Sequence, residues 1–432
     1  MKILVTGLCT LHWGRLEHGN VGNYYIIEPL FRELHRVFPN AEIVTTFQMT
    51  EEFIEKEKVT VYPMEYYYSW SDEDLNIALK EFAIANYYKE NGVLIETTPY
   101  IELINECDLI LDVSGDMWGD YAEHVGHNRF LVDLLKMRTA QLFKCKTVLF
   151  AGSQGPFLEK KTEKFAKTVY ENFTAVIARE PQAVKNVEKY NFDTKNTHLF
   201  SCPAFLFEPK KLEEIKEILI EEKISNKKNR VGFTICGFNM DEQPYDKWPR
   251  NDSEFEKWAN LVEHIVADLN AQVILISHSN GFELPPNFKK IPGRDYPILK
   301  KLQELVIGRG NVKSEDVVCI EKAYEPAVVK AIIGQMDMMV AGRVHSSVAA
   351  VSQYIPTVFL PYTEEMNSTK MLGFASLSGM QDFVTINNEE DIKLKIEKCW
   401  MNREEIKGKL EANVPLVKQK AKNSFDFLRK LV

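Results

Sequence analysis

The sequence predicts an α/β protein made of two Rossmann-like domains facing a cleft, with mostly parallel sheets. Three observations carry that prediction. Short β-rich runs alternate with helical patterns along most of the chain, the signature of a parallel sheet covered on both faces. The runs end in Gly, Ser, Asn and Arg, where such sheets hold their ligands. The alternation also stops at a polar stretch and restarts, and 432 residues exceed what one hydrophobic core usually holds.

In chain order, "MKILVTGL" is the first strand, and after the turn "EHGNVGN" the segment "YYIIEPLFRELHRVFP" carries apolar residues at helical spacing. "AEIVTTF", "CDLILDVSG", "KTVLFAGSQG", "FTAVIAREP" and "THLFSCPAF" follow as strands closing in small residues. The charged helix "EPKKLEEIKEILIEEK" leads into "ISNKKNR", which is polar and aperiodic and is read as the linker. Strand–helix alternation resumes with "VGFTICGFN", the amphipathic "DSEFEKWANLVEHIVADLN", "AQVILISHSNGF", "DVVCIEKAYEP", "MDMMVAGRVHS" and "IPTVFLPYTEE". The expected domains are residues 1–224 and 230–405, with residues 406–432 a helical segment packing back. Two such domains make a cleft, the usual place for a ligand.

Composition narrows the function classes. A net charge of −9 is not the basic footprint of a nucleic-acid binder. No run approaches the roughly 18 apolar residues of a membrane span, and the N-terminal run is too short for a secretory signal. Seven scattered Cys without CxxC spacing argue for a reducing, cytoplasmic compartment and against a structural zinc site. GxSxG, HExxH and Walker motifs are absent, and the adjacent Glu364 and Glu365 cannot face one another as a glycosidase pair would.

The candidate chemistry lies at the strand ends. The loop Glu17–Asn23 offers Gly and Asn beside a helix N-terminus, where backbone can approach an anion. "LDVSGDMWGD" and "AGSQGPF" close strands with small residues; Asp116 and Asp120 there are acid/base groups or metal ligands on one reading, caps or solvated turns on the other. His278 ends a strand of the second half, as a core-edge hydrogen-bonder or an anion contact. In "MMVAGRVHSS", Arg343 offers a bidentate fork for phosphate or carboxylate and His345 a proton near neutral pH. Two residues apart in a strand, they would point into one pocket, with a helix starting near His345 adding its dipole. The alternative is an Arg paired with a buried carboxylate and a His capping a helix.

The order of these motifs resembles the polysaccharide pyruvyl transferase family. "GNVGN" (Gly19 to Asn23) is similar to its GNxGD loop, "DLILDVSGD" to D-x-x-x-x-G-G, and "AGSQGPF" to G-Q-S-I-G-P-F. "REPQA" at Arg179 and "CPAF" at Cys202 resemble its R-[DE]-x-x-S and D-P-A-F. The most specific match reads "AGRVHSS", "IPTVFLPY" and "KMLGF", the last from Lys370. Asn23, Asp116, Ala183 and Cys202 depart from the family pattern; they cluster in the N-terminal half, where the family binds its acceptor.

The resemblance implies a GT-B-like fold, with the acceptor on the N-terminal side and phosphoenolpyruvate as donor on the C-terminal side. It implies a transferase of exopolysaccharide or cell-envelope biosynthesis that forms a pyruvate ketal on two hydroxyls of a sugar in a glycan or lipid-linked precursor, releasing phosphate. Arg343 would grip the donor and His345 would act as general acid or base. Lys370 and His278 are further anion contacts, Gln154 and Gly155 cleft wall, and Asn20, Gly22, Ser114, Gly115 and Arg179 substrate-binding residues. No metal or other cofactor is required, and no nucleic acid is a partner. An enzyme acting on lipid-linked glycans can visit the inner membrane leaflet transiently without an anchor. A nucleotide-sugar glycosyltransferase of the same architecture, or a non-catalytic glycan- or anion-binding homologue, shares these features.

Overall fold

The computed structural model of the chain describes residues 1–9, 19–279, 281–282, 290–291, 294–362 and 365–432. Glu17, His18, Asn280 and Glu364, which figure in the motifs above, lie outside the described residues.

The chain forms two compact units: Met1–Leu16, Ile27–Pro203 and Lys420–Val432 make the first, Glu17–Ile26 and Ala204–Gln419 the second. In the first unit the strands are β1 (Lys2–Thr6), β2 (Glu42–Thr45), β3 (Thr60–Val61), β4 (Leu109–Asp112), β5 (Thr147–Gly152), β6 (Ala175–Ala178) and β7 (Thr197–Leu199). They form one parallel sheet in the order β3-β2-β1-β4-β5-β6-β7. Every residue of β4, β5 and β6 is buried, which is why these strands read as unbroken apolar runs rather than alternating ones.

The second unit holds β8 (Asn229–Thr234), β9 (Ala271–Leu275), the antiparallel pair β10 (Gly281–Phe282) and β11 (Lys290–Ile291), β12 (Val317–Cys319), β13 (Met338–Ala341) and β14 (Thr357–Phe359). Its main sheet is parallel, ordered β12-β9-β8-β13-β14. In each unit the strand order reverses beside the first strand, between β1 and β4 and between β8 and β13. Ligands of such sheets bind outside the carboxyl ends of those strands. The predicted parallel α/β class is borne out in both units.

The expected boundaries are corrected. The charged helix Leu212–Glu221 is part of the second unit and not the approach to a linker. Lys210 N donates to Ala327 O (3.0 Å), Lys330 Nζ to Phe207 O, and Tyr324 Oη to Glu222 (2.7 Å), so the chain changes unit at Pro203. The polar "ISNKKNR" only leads into β8. At the end of the chain, one helix, Arg403–Leu428, contributes to both units. Its last turns bury Ala421, Phe425 and Leu428 in the first unit, with the Phe425 ring 5.1 Å from Phe150.

Candidate functional site

The second unit builds its site at the β8/β13 reversal. Gly342 leaves β13 flush against β8, its N–H donating to Thr234 O at 2.7 Å. A Cβ there would sit 2.5 Å from Thr234 O and Asn239 Oδ1, so only glycine lets the chain turn off the strand here. Arg343 follows as an extended N-cap (φ −129°, ψ 139°), and the helix Val344–Val351 begins at the next residue. The strand alternation expected to align Arg343 with His345 therefore does not operate, because β13 has ended at Ala341.

Arg343 is mostly, but not fully, buried and is paired. Its Nε and Nη2 donate to Asp295 Oδ2 and Oδ1 at 2.8 and 2.5 Å, and Nη1 donates to no described residue. Asp295 is fully buried, whereas the Arg343 side chain keeps 11% exposure. Burial opposes the charge on Arg343, but Asp295, with Cys236 and Tyr362, outweighs it and holds the guanidinium protonated. One edge of the fork is thus spent on a carboxylate, as in the alternative weighed above, and the edge that includes Nη1 is the one left for an anion.

Asp295 Oδ2 also accepts from the His278 N–H at 3.0 Å. The His278 ring is fully buried, and neither of its nitrogens has a hydrogen-bond partner among the described residues. Burial, followed by the charges of His345 and Arg343, pushes its pKa well down, so the imidazole stays neutral. Tyr25 packs edge-on against it with ring centroids 5.3 Å apart.

Tyr25 belongs to the helix Val21–Val37, whose first turn is part of this unit. Asn20 bridges to Ser279, Val21 N donates to His278 O (3.2 Å), and Asn20 Oδ1 accepts from Gly22 N (3.0 Å). Gly22 lies against His345: a Cβ on it would stand 2.5 Å from Nδ1 of that ring. Phe374 meets the His345 ring edge-on at 6.0 Å. Lys370, buried one turn earlier on the helix Glu365–Ser378, shares the Phe374 face. The structure therefore gathers Asn20, Gly22, His278, Arg343, His345 and Lys370 in one unit. Asn20, Gly22 and Asn23, expected on the N-terminal acceptor side, belong instead with His345.

The other predicted residues lie in the first unit. Ser114 is buried, donating to Asp112 Oδ1 and accepting from Leu8 N (2.9 Å). Gly115 has φ +61° and its O accepts from Ser153 N (2.8 Å); Arg179 Nε donates to Ser153 Oγ (2.8 Å). Gly155 N donates to Trp118 O (2.9 Å), and Gln154 is buried with its Nε2 lacking a partner among the described residues. Burial pushes the Cys9 thiol, set among Asp116, Arg179, Arg129 and Cys202, up to about 12, so it is no thiolate nucleophile. Asp120 accepts from Leu158 N and Glu159 N, the two residues that lead into the helix Lys160–Glu171.

Asp295 and Tyr25 were not anticipated. "RDYP", an acid just before an early-helix proline, signals a helix start and nothing more; the acid's partner lies 48 residues away. Among the described residues, no group of three His, Cys, Asp or Glu could hold a metal ion.

Residues 20–364 match the family described as Polysaccharide pyruvyl transferase. No curated protein matches the chain by sequence. In structure it is similar to UDP-GlcNAc 2-epimerase from Neisseria meningitidis bound to UDP-GlcNAc (TM-score 0.59, 11% identity, 100% of each chain). It is also similar to a glycosyltransferase from Rickettsia africae (TM-score 0.59, 10% identity, 99% of this chain and 98% of that one). A third likeness is UDP-GlcNAc 2-epimerase from Methanocaldococcus jannaschii (TM-score 0.55, 12% identity, 92% of each). At these identities the likeness establishes the fold, which is GT-B-like.

Proposed function

The chain belongs to the polysaccharide pyruvyl transferase family, and we propose that it moves a pyruvyl group from phosphoenolpyruvate onto two hydroxyls of one sugar. The acceptor sugar is part of a glycan or its lipid-linked precursor, and the product is a pyruvate ketal plus inorganic phosphate. The observation that carries this reading is a largely buried guanidinium with one edge fixed and Nη1 donating to no described residue, in the same unit as an imidazole cradled by a glycine.

Phosphoenolpyruvate presents a carboxylate and a phosphate, both matched by the remaining edge of the Arg343 fork. Lys370 supplies a second cation. His345 delivers a proton to the methylene carbon as a sugar hydroxyl attacks the neighbouring carbon. The C–O bond to phosphate breaks, the second hydroxyl closes the ketal, and its proton leaves with phosphate. Two hydroxyl protons are thus released, one replacing the proton given to carbon and one carried by phosphate. The balance needs no oxidant or reductant, and Arg343 can hold the developing charge without a metal.

Neutral His278 fits a role as a hydrogen-bonder to the donor rather than a cation. A lipid-linked acceptor would require only brief contact with the inner leaflet; among the described residues no helix is long and apolar enough to cross a membrane.

The test is phosphate release from phosphoenolpyruvate with and without a cell-envelope glycan fraction. Acceptor-dependent release that His345→Ala abolishes supports the proposal. Consumption of a UDP-sugar with no phosphate released from phosphoenolpyruvate would instead favour the glycosyltransferase reading.

A further inference from the structure

We propose that Asp295 is a positioning residue for this site, acting through Arg343 to decide which edge of the guanidinium meets the donor; the proposal rests on the reading of Arg343 as the donor's grip. Asp295 opens the helix Tyr296–Arg309, with proline at the start of that helix, yet its side chain makes no capping hydrogen bond to it. Both carboxylate oxygens are turned the other way: Oδ1 takes Nη2 of Arg343, and Oδ2 takes Nε of Arg343 together with the His278 N–H.

That arrangement has two consequences. A guanidinium has a small set of edges able to bind an oxyanion in bidentate fashion, and occupying the Nε/Nη2 edge leaves the one that includes Nη1 for a ligand. One oxygen also joins the end of the β9 segment to the end of β13, so His278 and Arg343 are held by a single carboxylate. Neither consequence requires Asp295 to touch the donor.

The experiment is calorimetric titration of the full-length protein with phosphoenolpyruvate, and in parallel with inorganic phosphate, in two backgrounds. In the wild-type background Asp295→Asn should weaken phosphoenolpyruvate binding at least tenfold. In an Arg343→Lys background, where a point charge has no edge to select, the same change should not weaken it. Equal weakening in both backgrounds, or a change under twofold in the wild type, would overturn the proposal. Should Asp295→Asn fail to fold, Asp295→Glu keeps the charge but displaces the fork, and is judged by the same two criteria. If phosphoenolpyruvate does not bind the wild type while phosphate does and shows the coupling, the donor reading falls and the role of Asp295 stands. Phosphoenolpyruvate binding without coupling has the reverse meaning. Binding of neither anion counts against both.

Discussion

At the scale of single residues, the site depends on two kinds of contact, one steric and one electrostatic. Gly22 has no side chain because His345 occupies that space. Gly22→Ala should push the imidazole out of place at a cost of about 1–3 kcal/mol of strain. The expected result is more than tenfold lower turnover with only a modest loss of melting temperature; turnover within twofold of wild type would show that His345 needs no such cradle. Arg343 and Asp295 are the electrostatic counterpart. Arg343→Ala leaves a fully buried carboxylate without its cation, a change that costs about 3–5 kcal/mol where one partner of a buried pair is removed. Adding Asp295→Asn to Arg343→Ala should recover most of that stability while leaving donor binding absent, as read by thermal unfolding and calorimetry together.

At the scale of elements, β4 and the helix Arg129–Leu142 are joined by a pair of acids. Ser114 Oγ donates to Asp112 Oδ1 and lies 3.5 Å from Asp133 Oδ1, to which Tyr67 donates at 2.5 Å. Burial pushes Asp133 up to about 7, and burial together with Asp133 holds Asp112 well above the usual carboxylate range. Unfolded, an Asp titrates near 3.9, so between about pH 4 and 7 the folded state binds more protons. The stability contributed by Asp133 therefore falls as pH rises through that window and levels off above it. Asp133→Asn removes one titration, so its melting temperature should gain on the wild type between pH 5 and pH 8; a constant difference would contradict the raised titration of Asp133.

The same scale shows what was legible in the sequence. β4, β5, β8, β9 and β13 were readable because parallel strands buried on both faces are plain apolar runs. β3, two residues long, has too little pattern to read. Arg343 and His345 were readable as chemistry, but the strand geometry assumed for them was not correct, since the helix starts at Val344. The carboxylate that holds Arg343 was illegible because pairing across 48 residues leaves no local signal. The exchange of segments between units was illegible for a similar reason: nothing in "GNVGN" shows which core its helix start joins.

At the scale of the whole molecule, the chain enters each unit more than once, so neither is a continuous stretch of sequence. The C-terminal Lys420–Val432 completes the first unit with Phe425 against Phe150 and Phe427 against His198 and Phe200. Deleting it removes fully buried Phe425 and Leu428, each worth about 1.5–3 kcal/mol of burial. The truncated protein should melt several degrees lower; an unchanged transition would mean that the tail is dispensable to that core.

The central claim is that this unit, with Arg343 and His345, receives phosphoenolpyruvate. Its most direct test is the affinity of the intact wild-type protein for phosphoenolpyruvate against UDP, measured by calorimetry under one set of conditions. Saturable binding of phosphoenolpyruvate with little or none of UDP is the predicted result. Saturable UDP binding with no heat from phosphoenolpyruvate would contradict it and assign the site to a nucleotide.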